Sequence, residues 1–245
     1  MTTPSLADRL AMREKPPGPP VMFQEWSHLL FLHWEIEAAE IQKRLPDGLF
    51  ADQYEGKCYL GLVPFLMQKV RPRFLPTVPW LSNFLELNVR TYVHDAEGRP
   101  GVWFFSLDCD QPVAVELARN LFHLPYQHAR MSVKGPRYSC RRKSEKETAV
   151  FRYHVTGPYE LAKPGSLEFF LLERYLLFSA TRKGDIRCGR VHHEPYRFAR
   201  LPEPPEHSTL PFQWEGFETS GPLVSSLVSP GVPVKIHPLE KASSR

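Results

Sequence analysis

Residues 84–93 read Phe84-Leu85-Glu86-Leu87-Asn88-Val89-Arg90-Thr91-Tyr92-Val93, and they carry the strongest strand signal in the chain. Successive side chains of a strand point to opposite faces, so the odd-numbered residues here form a mainly apolar face and the even-numbered residues form a polar one. A turn at residues 95–98 and an apolar run at residues 102–107 predict that a return strand follows.

The polar face of this strand, formed by Glu86, Asn88, Arg90 and Tyr92, has two interpretations. It either faces solvent, as one face of many antiparallel strands does, or it lines the interior of a barrel. In a barrel, an arginine beside a carboxylate would bind a small carboxylate or carbonyl ligand through paired hydrogen bonds. Alternation alone shows that one side is polar, so both interpretations stay open.

Further strand signals surround this hairpin, while helical signals are short and few. Strands are predicted at residues 22–37, 128–140 and 148–156 and on both sides of the Lys183-Gly184-Asp185 turn, and a hairpin with a turn at Glu55-Gly56 is predicted at residues 54–70. Short helices are predicted at residues 5–14, 38–45, 111–122 and 166–172, and the proline-rich part from Pro202 onward is predicted to hold short strands at most. This pattern predicts an α+β fold, mainly β, with a closed or nearly closed sheet. We expect residues 1–20 to form an N-terminal arm and residues 21–245 a single domain.

The third predicted helix has clear boundary signals. Asp110 is a candidate N-cap, Pro112 lies in the first turn, and Pro125 follows the end. Apolar residues recur at four-residue spacing and predict one packed stripe, which consists of Val113, Leu117 and Leu121 with Ala114, Ala118 and Phe122.

Composition excludes several classes of function. The net charge of +4 is spread over 245 residues, so we predict no nucleic-acid binding, and the basic hairpin at residues 137–146 is interpreted as a solvated turn. No apolar run is long enough for a signal peptide or a membrane span, which predicts a cytoplasmic protein without membrane contact. The four cysteines are scattered, and His192 and His193 are adjacent and point to opposite faces of a strand, so we predict no metal site. No cofactor is predicted, and a homo-oligomer is left open.

A resemblance to known proteins appears at the third helix. The segment Arg119-Asn120-Leu121-Phe122-His123-Leu124-Pro125 resembles the acetoacetate decarboxylase motif of arginine, glutamate and leucine followed four residues later by proline. The chain as a whole is more similar to the YqjF-like family of uncharacterised bacterial proteins, which belongs to the same structural superfamily. The similar segments are residues 84–93, 101–107, 118–126, 173–175 and 191–193. The resemblance implies an acetoacetate decarboxylase-like antiparallel barrel or cone with a few short helices packed on it.

The resemblance breaks where the decarboxylases carry out their chemistry. In those enzymes two lysines follow the proline, and the first forms a Schiff base with the keto acid. Here the two positions are Tyr126 and Gln127, and neither a phenol nor an amide can form an imine. A displaced lysine, such as Lys57, Lys69 or Lys134, would be needed to restore that reaction.

The same resemblance implies that Arg119, His123 and Tyr126 lie at a helix end that faces the cavity. Arg119 would then bind an anion, and Tyr126 or His123 would transfer a proton with Glu86 as the second catalytic group. Asn88 and Arg90 would complete the ligand-binding set. Trp26, His28 and Trp34 on an early strand are candidates for aromatic walls of a pocket, and core packing explains them equally well. The alternative is that His123 and Tyr126 only cap and pack the helix end.

Three functions remain in competition at this point. The first is a pocket for an organic acid or carbonyl compound, with or without a proton-transfer or lyase-type reaction. The second is a non-catalytic binding or interaction protein whose cavity is filled by side chains. The third, a true acetoacetate decarboxylase, is the least favoured because the imine-forming lysine is missing.

Overall fold

The structure is a computed structural model that describes residues 3–219 and 221–242. The predicted ranges 1–20 and 21–245 include residues 1–2, 220 and 243–245, which lie outside the described residues. The strands are β1 (Met22–Ile36), β2 (Leu49–Ala51), β3 (Cys58–Pro72), β4 (Phe84–Asp95), β5 (Pro100–Cys109), β6 (Tyr126–Lys134), β7 (Arg137–Arg142), β8 (Ala149–Arg152), β9 (Glu160–Leu161), β10 (Leu176–Ala180), β11 (Ile186–His193), β12 (Arg197–Arg200) and β13 (Leu223–Lys241). The helices are α1 (Leu6–Ala11), α2 (Ala38–Gln42), α3 (Pro79–Ser82), α4 (Pro112–Leu121), α5 (Leu167–Leu172) and α6 (Leu210–Trp214).

Seven strands close into a barrel in the order β4-β3-β1-β13-β11-β10-β5, with β5 pairing back to β4. Six of these seven pairings are antiparallel, and only the pairing of β10 with β5 is parallel. The mainly β barrel with a few short helices confirms the predicted fold class. Within the described ranges, no helix is both long and apolar enough to cross a membrane.

Strand β4 is buried on both faces, which explains its unusual pattern. The even-numbered polar residues face the inside of the barrel, and Leu87 and Val89 face outward. The outward face is covered by β6–β8 and α6, and the side chains that meet it there include Tyr138, Phe151 and Phe212. The outer layer therefore buries the apolar face of β4, and the polar face lines the interior of the barrel.

Two strands change the face that they present partway along their length. His28 in β1 and Lys69 in β3 have φ angles of 53° and 52°, in the left-handed region, and register shifts interrupt the pairing of these strands. As a result Trp26 lines the interior before the irregularity in β1 and Leu29 lines it afterwards. Trp34 consequently packs in the outer layer, perpendicular to the ring of Phe212 at 5.1 Å between centroids, and His28 is exposed. Of the three candidates for aromatic walls, Trp26 lines the cavity, and Trp34 follows the alternative of core packing.

Several predicted boundaries were wrong. Strand β13 runs for 19 residues through the region expected to hold short strands, because pairing with β1 and β11 on both sides outweighs its weak local propensity. Residues 128–140 form two strands, since Gly135 makes a turn at a φ of 57°. Helix α4 is capped by Gln111, while the carboxylate of Asp110 accepts the amide of Leu85 instead.

The predicted stripe of α4 was also wrong in part. Val113, Leu117 and Leu121 are exposed, whereas Ala114 and Ala118 pack toward the barrel with the fully buried Val115. Four-residue spacing identified the helix but not the face that it buries.

The N-terminal segment packs against the barrel beside Asp52 and α5. The α1 helix begins at Ser5, whose side chain and that of Asp8 form a capping box. Arg9 donates two hydrogen bonds of 2.7 Å to Asp52, which also accepts one of 2.7 Å from Arg174. Although burial opposes it, the charges of Arg174 and Arg9 lower the pKa of Asp52 below its ordinary value. The arm is therefore held by buried ion pairs.

Candidate functional site

The barrel encloses a cavity of about 390 Å³, which is within the range of small-molecule sites. Its mouth lies between the loop that leads into α3 and the α4 helix, where Leu75, Leu81 and Leu117 line it. The side chain of Gln111 donates to the carbonyl of Trp80 at 2.8 Å and so ties the two sides of the mouth together.

Three polar residues of the cavity lie along one strand. Glu86, Asn88 and Arg90 of β4 line the cavity together with Tyr126, so the structure brings these four predicted site residues together. Their order along β4 runs inward from the mouth, because Phe84 follows α3 directly and Arg90 contacts the carbonyl of Leu171 in α5 at the far end. The polar face of β4 is thus interior, which resolves the ambiguity of the sequence. The catalytic and binding roles of these residues stay predictions.

Glu86 and Tyr126 form a buried pair. The Tyr126 hydroxyl donates to Glu86 Oε2 at 2.6 Å, and Glu86 is only 2% exposed. Burial raises the pKa of Glu86 from an ordinary 4.5 to about 7, against the opposing hydrogen bonds from Tyr126 and Asn88. Burial also raises the pKa of Tyr126 well above its usual range, with the charge of Glu86 adding to the effect. Near neutral pH the tyrosine is therefore a donor, and the carboxyl is close to half protonated.

Arg90 is a buried cation without an anion. One guanidinium nitrogen donates to the carbonyl of Leu171 at 3.2 Å and to the hydroxyl of Tyr92 at 3.3 Å, and the ring of Phe31 lies 5.3 Å away. The Nε atom has no hydrogen-bond partner in the described part of the chain. No carboxylate of residues 3–219 and 221–242 lies within ion-pair distance of it either.

Sequence reasoning missed four polar residues of the lining, which are Gln24, Ser82, Arg174 and Tyr196. Burial lowers the pKa of Arg174 to about 10 against the effect of its partner Asp52, and one of its guanidinium nitrogens has no partner among the described residues. Arg174 belongs to one of the segments that carried the family resemblance, but no pattern in the sequence indicated that it points inward.

Two predicted site residues lie outside the cavity lining. Arg119 Nε donates to the carbonyl of Tyr126 at 2.7 Å, and its Nη1 atom is 3.4 Å from Glu116, so Arg119 holds the start of β6 in place. His123 has a φ of 54° just after the last turn of α4, where a left-handed residue ends a helix. Because α4 presents Ala114, Ala118 and Phe122 to the cavity, Arg119 is rotated away from it.

The lysines that were considered as replacements for the imine-forming pair do not reach the cavity. Lys57 and Lys69 are more than half exposed and pair with Glu35 and Glu25, and Lys134 is exposed near the end of β6. Among the residues that the structure describes, no lysine lines the cavity.

The two adjacent histidines of β11 occupy different environments. His193 is buried between the rings of Tyr175 and Tyr196, at 4.6 and 4.7 Å between centroids, while His192 is half-buried. In the described ranges no group of three or more potential metal ligands occurs.

Comparisons with known proteins agree with this architecture. The family model DUF2071, described as an uncharacterized conserved protein, matches residues 23–233. The uncharacterized protein YqjF of Bacillus subtilis (strain 168) is 36% identical over 187 residues, which cover 74% of this chain and 76% of YqjF.

Solved structures of more distant proteins share the fold. The acetoacetate decarboxylase of Legionella pneumophila has a TM-score of 0.62 at 11% identity and covers 99% of this chain and 98% of its own. The enduracididine biosynthesis enzyme MppR, complexed with pyruvate, has a TM-score of 0.62 at 13% identity, with 92% and 91% covered. At such identities these likenesses concern the fold alone. The fold is an acetoacetate decarboxylase-like barrel. The sequence matches are stronger than the structural ones, and they show that the chain belongs to the DUF2071 family of YqjF-like proteins.

Proposed function

We propose that the barrel cavity binds an organic acid or carbonyl compound, and that Glu86 and Tyr126 transfer a proton on that ligand. The single observation that supports this most strongly is the arrangement along β4, where a buried cation without a partner and a carboxyl with a pKa of about 7 line the same cavity. Perturbed titratable groups that converge on a cavity are typical of functional sites.

Arg90 is the proposed binding group for the ligand's carboxylate. A buried charge without a counterion is costly, and a carboxylate from the ligand would supply the missing anion. The planar guanidinium can accommodate a carboxylate through two parallel hydrogen bonds. MppR, which shares the fold, has been solved with pyruvate, a compact keto acid, and this supports the same class of ligand here.

The proposed chemistry is proton transfer next to a carbonyl group. In its ionised form Glu86 takes a proton from the carbon beside the carbonyl. The electron pair of that C–H bond forms a C=C bond, and the π electron pair of the carbonyl moves onto its oxygen. The Tyr126 hydroxyl stabilises the resulting enolate by a hydrogen bond, and Glu86 returns the proton when the carbonyl forms again. A carboxyl with a pKa of about 7 suits both directions of this transfer.

A lysine imine has no place in this proposal, because Tyr126 and Gln127 occupy the positions of the two lysines. We expect that borohydride reduction in the presence of acetoacetate yields no lysine adduct by mass spectrometry. An adduct on any lysine would revive the decarboxylase alternative. The alternative of a binding protein with a filled cavity receives less support, because the cavity is open to the mouth.

The test is deuterium exchange. The protein is incubated in D2O with pyruvate, acetoacetate, levulinate or 10-oxoundecanoate, and loss of the proton signal beside the carbonyl is followed by NMR. The last of these carries its ketone far enough from its carboxylate to reach Glu86 from Arg90. We expect exchange with the wild type, at least about a hundredfold slower exchange for Glu86→Gln, and weaker binding for Arg90→Met. Arg137→Met, which removes an exposed arginine, serves as the matched control and should behave as the wild type.

Two outcomes would count against the proposal. If none of these compounds binds by calorimetry or undergoes exchange, the cavity does not take this class of ligand. If exchange proceeds equally well in Glu86→Gln, the proton is transferred elsewhere.

A further inference from the structure

We propose that the natural occupant of the cavity is an amphiphilic monocarboxylate, with its carboxylate at Arg90 and an extended apolar body that reaches toward the mouth. This inference rests on the proposed function and narrows its ligand class from organic acids in general to those with a long apolar chain. Four features of the cavity support it.

The first feature is size. A cavity of about 150 Å³ that is lined by apolar side chains holds one benzene molecule. The cavity here has about 390 Å³. A compact keto acid such as pyruvate has no more heavy atoms than benzene, so it would leave more than half of this space unfilled.

The second feature is the chemistry of the walls. Beside the polar strand, the walls are formed by apolar side chains of its neighbours β3 and β5 and of the next strand, β1, among them Trp26, Leu29, Phe65, Met67 and Val102. Water in such surroundings finds few hydrogen-bond partners, so an apolar ligand that displaces it gains the free energy of burial.

The third feature is the separation of the polar groups. Glu86 and Arg90 are four residues apart on β4, so their Cα atoms are roughly 13 Å apart. An extended chain advances roughly 1.2 Å per bond, since three backbone bonds span about 3.5 Å. A ligand bound at Arg90 therefore needs on the order of ten bonds to reach the level of Glu86. Arg174 adds a second guanidinium at the deep end, where both arginines lie against the ring of Tyr92.

The fourth feature is the mouth. Phe74 is 86% exposed and Trp80 is 70% exposed, and Leu75 and Leu117 are also exposed where they line the opening. Exposed large apolar side chains that cluster around an opening indicate a binding surface. The end of a chain longer than the cavity would lie against this rim.

The experiment is a titration of the full chain with propanoate, hexanoate, octanoate and decanoate, all below their micelle concentrations, by calorimetry. We expect the dissociation constant to fall about fourfold for each added methylene, the equivalent of about 0.8 kcal/mol per buried CH2. The heat-capacity change of binding should become more negative with chain length.

Variants separate the two ends of the ligand. Arg90→Met should weaken decanoate about tenfold to a hundredfold and leave decanol unchanged, because only the carboxylate loses its partner. Leu117→Glu at the rim should weaken decanoate more than hexanoate, and the control Arg137→Met should change neither.

The outcomes distinguish this inference from the proposed function. If propanoate binds as tightly as decanoate, the amphiphile is ruled out and the compact keto acids remain. If affinity rises with chain length but Arg90→Met has no effect on decanoate, the acids partition without the anion site and the inference fails. If no monocarboxylate and none of the keto acids binds, the proposed function fails as well. Light scattering shows whether Leu117→Glu changes the oligomeric state. The inference also fails if this variant dissociates an oligomer and leaves decanoate binding unchanged.

Discussion

The protein buries charged side chains in two contrasting ways. In the outer layer, Arg142 pairs with Asp108 at 2.7 Å and 3.0 Å, with Ser106 at 2.9 Å and with Glu215 at 2.7 Å, so each of its guanidinium nitrogens has a partner. In the cavity, Arg90 has no anion among the described residues and Glu86 has no cation. The chain therefore has the means to pair buried charges, as it does for Arg142 and also for Arg174, which contacts Asp52 at 2.7 Å. Glu86 and Arg90 depart from this arrangement, and both line the cavity.

The largest effect that this contrast predicts is on the paired arginine. Arg142→Ala leaves the fully buried Asp108 without its partner, and we expect a loss of about 3–5 kcal/mol in the free energy of unfolding. Urea denaturation followed by circular dichroism measures it. A loss below about 1 kcal/mol would show that this pair is not structural and would remove the contrast.

The next effect depends on pH. The pKa of Glu86 rises from 4.5 in the unfolded chain to about 7 in the folded one, which corresponds to about 3 kcal/mol. Because the folded protein holds this proton more tightly, the stabilising contribution is complete below pH 4.5 and is lost as the pH rises to about 7. Glu86→Gln has no proton to lose, so its stability relative to the wild type should rise across that interval.

Urea midpoints at several values of pH between 4 and 8 check this prediction. Glu116→Gln, on the exposed side of α4, is the matched control and should show no comparable trend. If the difference between Glu86→Gln and the wild type were constant with pH, the carboxyl would titrate normally and the proton-transfer proposal would lose its basis.

A smaller effect is expected for the unpaired arginine. Arg90→Met removes a buried cation that has no counterion, and the carbonyl of Leu171 keeps its hydrogen bond from Tyr92 at 2.9 Å. We expect the free energy of unfolding to change by no more than about 1 kcal/mol, in contrast to Arg142→Ala. A loss as large as that of Arg142→Ala would mean that Arg90 is a structural residue.

The smallest effect is expected at the surface. Lys57 and Glu35 form an ion pair of 2.8 Å in which both side chains are exposed. Lys57→Ala should change the free energy of unfolding by less than about 0.5 kcal/mol, since solvent screens such pairs. The same urea titration provides the baseline for Arg142→Ala, Glu86→Gln and Arg90→Met. A larger change for Lys57→Ala would show that the comparison of buried and exposed charges overstates the role of burial.

Much of the site could be predicted from the sequence, because it lies on one regular strand. Strict alternation in β4 placed Glu86, Asn88 and Arg90 on one face, and the position of Tyr126 after Pro125 came from the family resemblance. What alternation could not provide was the second layer of the fold. The layer that packs on the outside of β4 buries its apolar face there, and the polar face is then directed toward the interior of the barrel.

Other features could not be predicted for local physical reasons. The left-handed residue His28 carries no sequence signal that marks a change of face, so the sequence left open whether Trp34 lines a pocket or packs in the core. Arg142 was interpreted as part of a solvated turn, because its partners Asp108 and Glu215 are distant in sequence. Arg119 has the spacing of a family motif, but its direction depends on which face of α4 is packed.

The N-terminal arm has a consequence for how the protein should be handled. Arg9 shares the carboxylate of Asp52 with Arg174, a residue of the cavity wall. The first helix therefore neutralises part of the negative charge of Asp52, which would otherwise act on Arg174 alone at the deep end of the cavity. Trimming the chain at residue 21, where composition suggests a boundary, would leave Asp52 to Arg174 alone. We expect this to change the affinity for any ligand of the proposed site, although no residue of the cavity lining is removed. Affinity tags and truncations at this terminus therefore belong among the variables of any binding measurement.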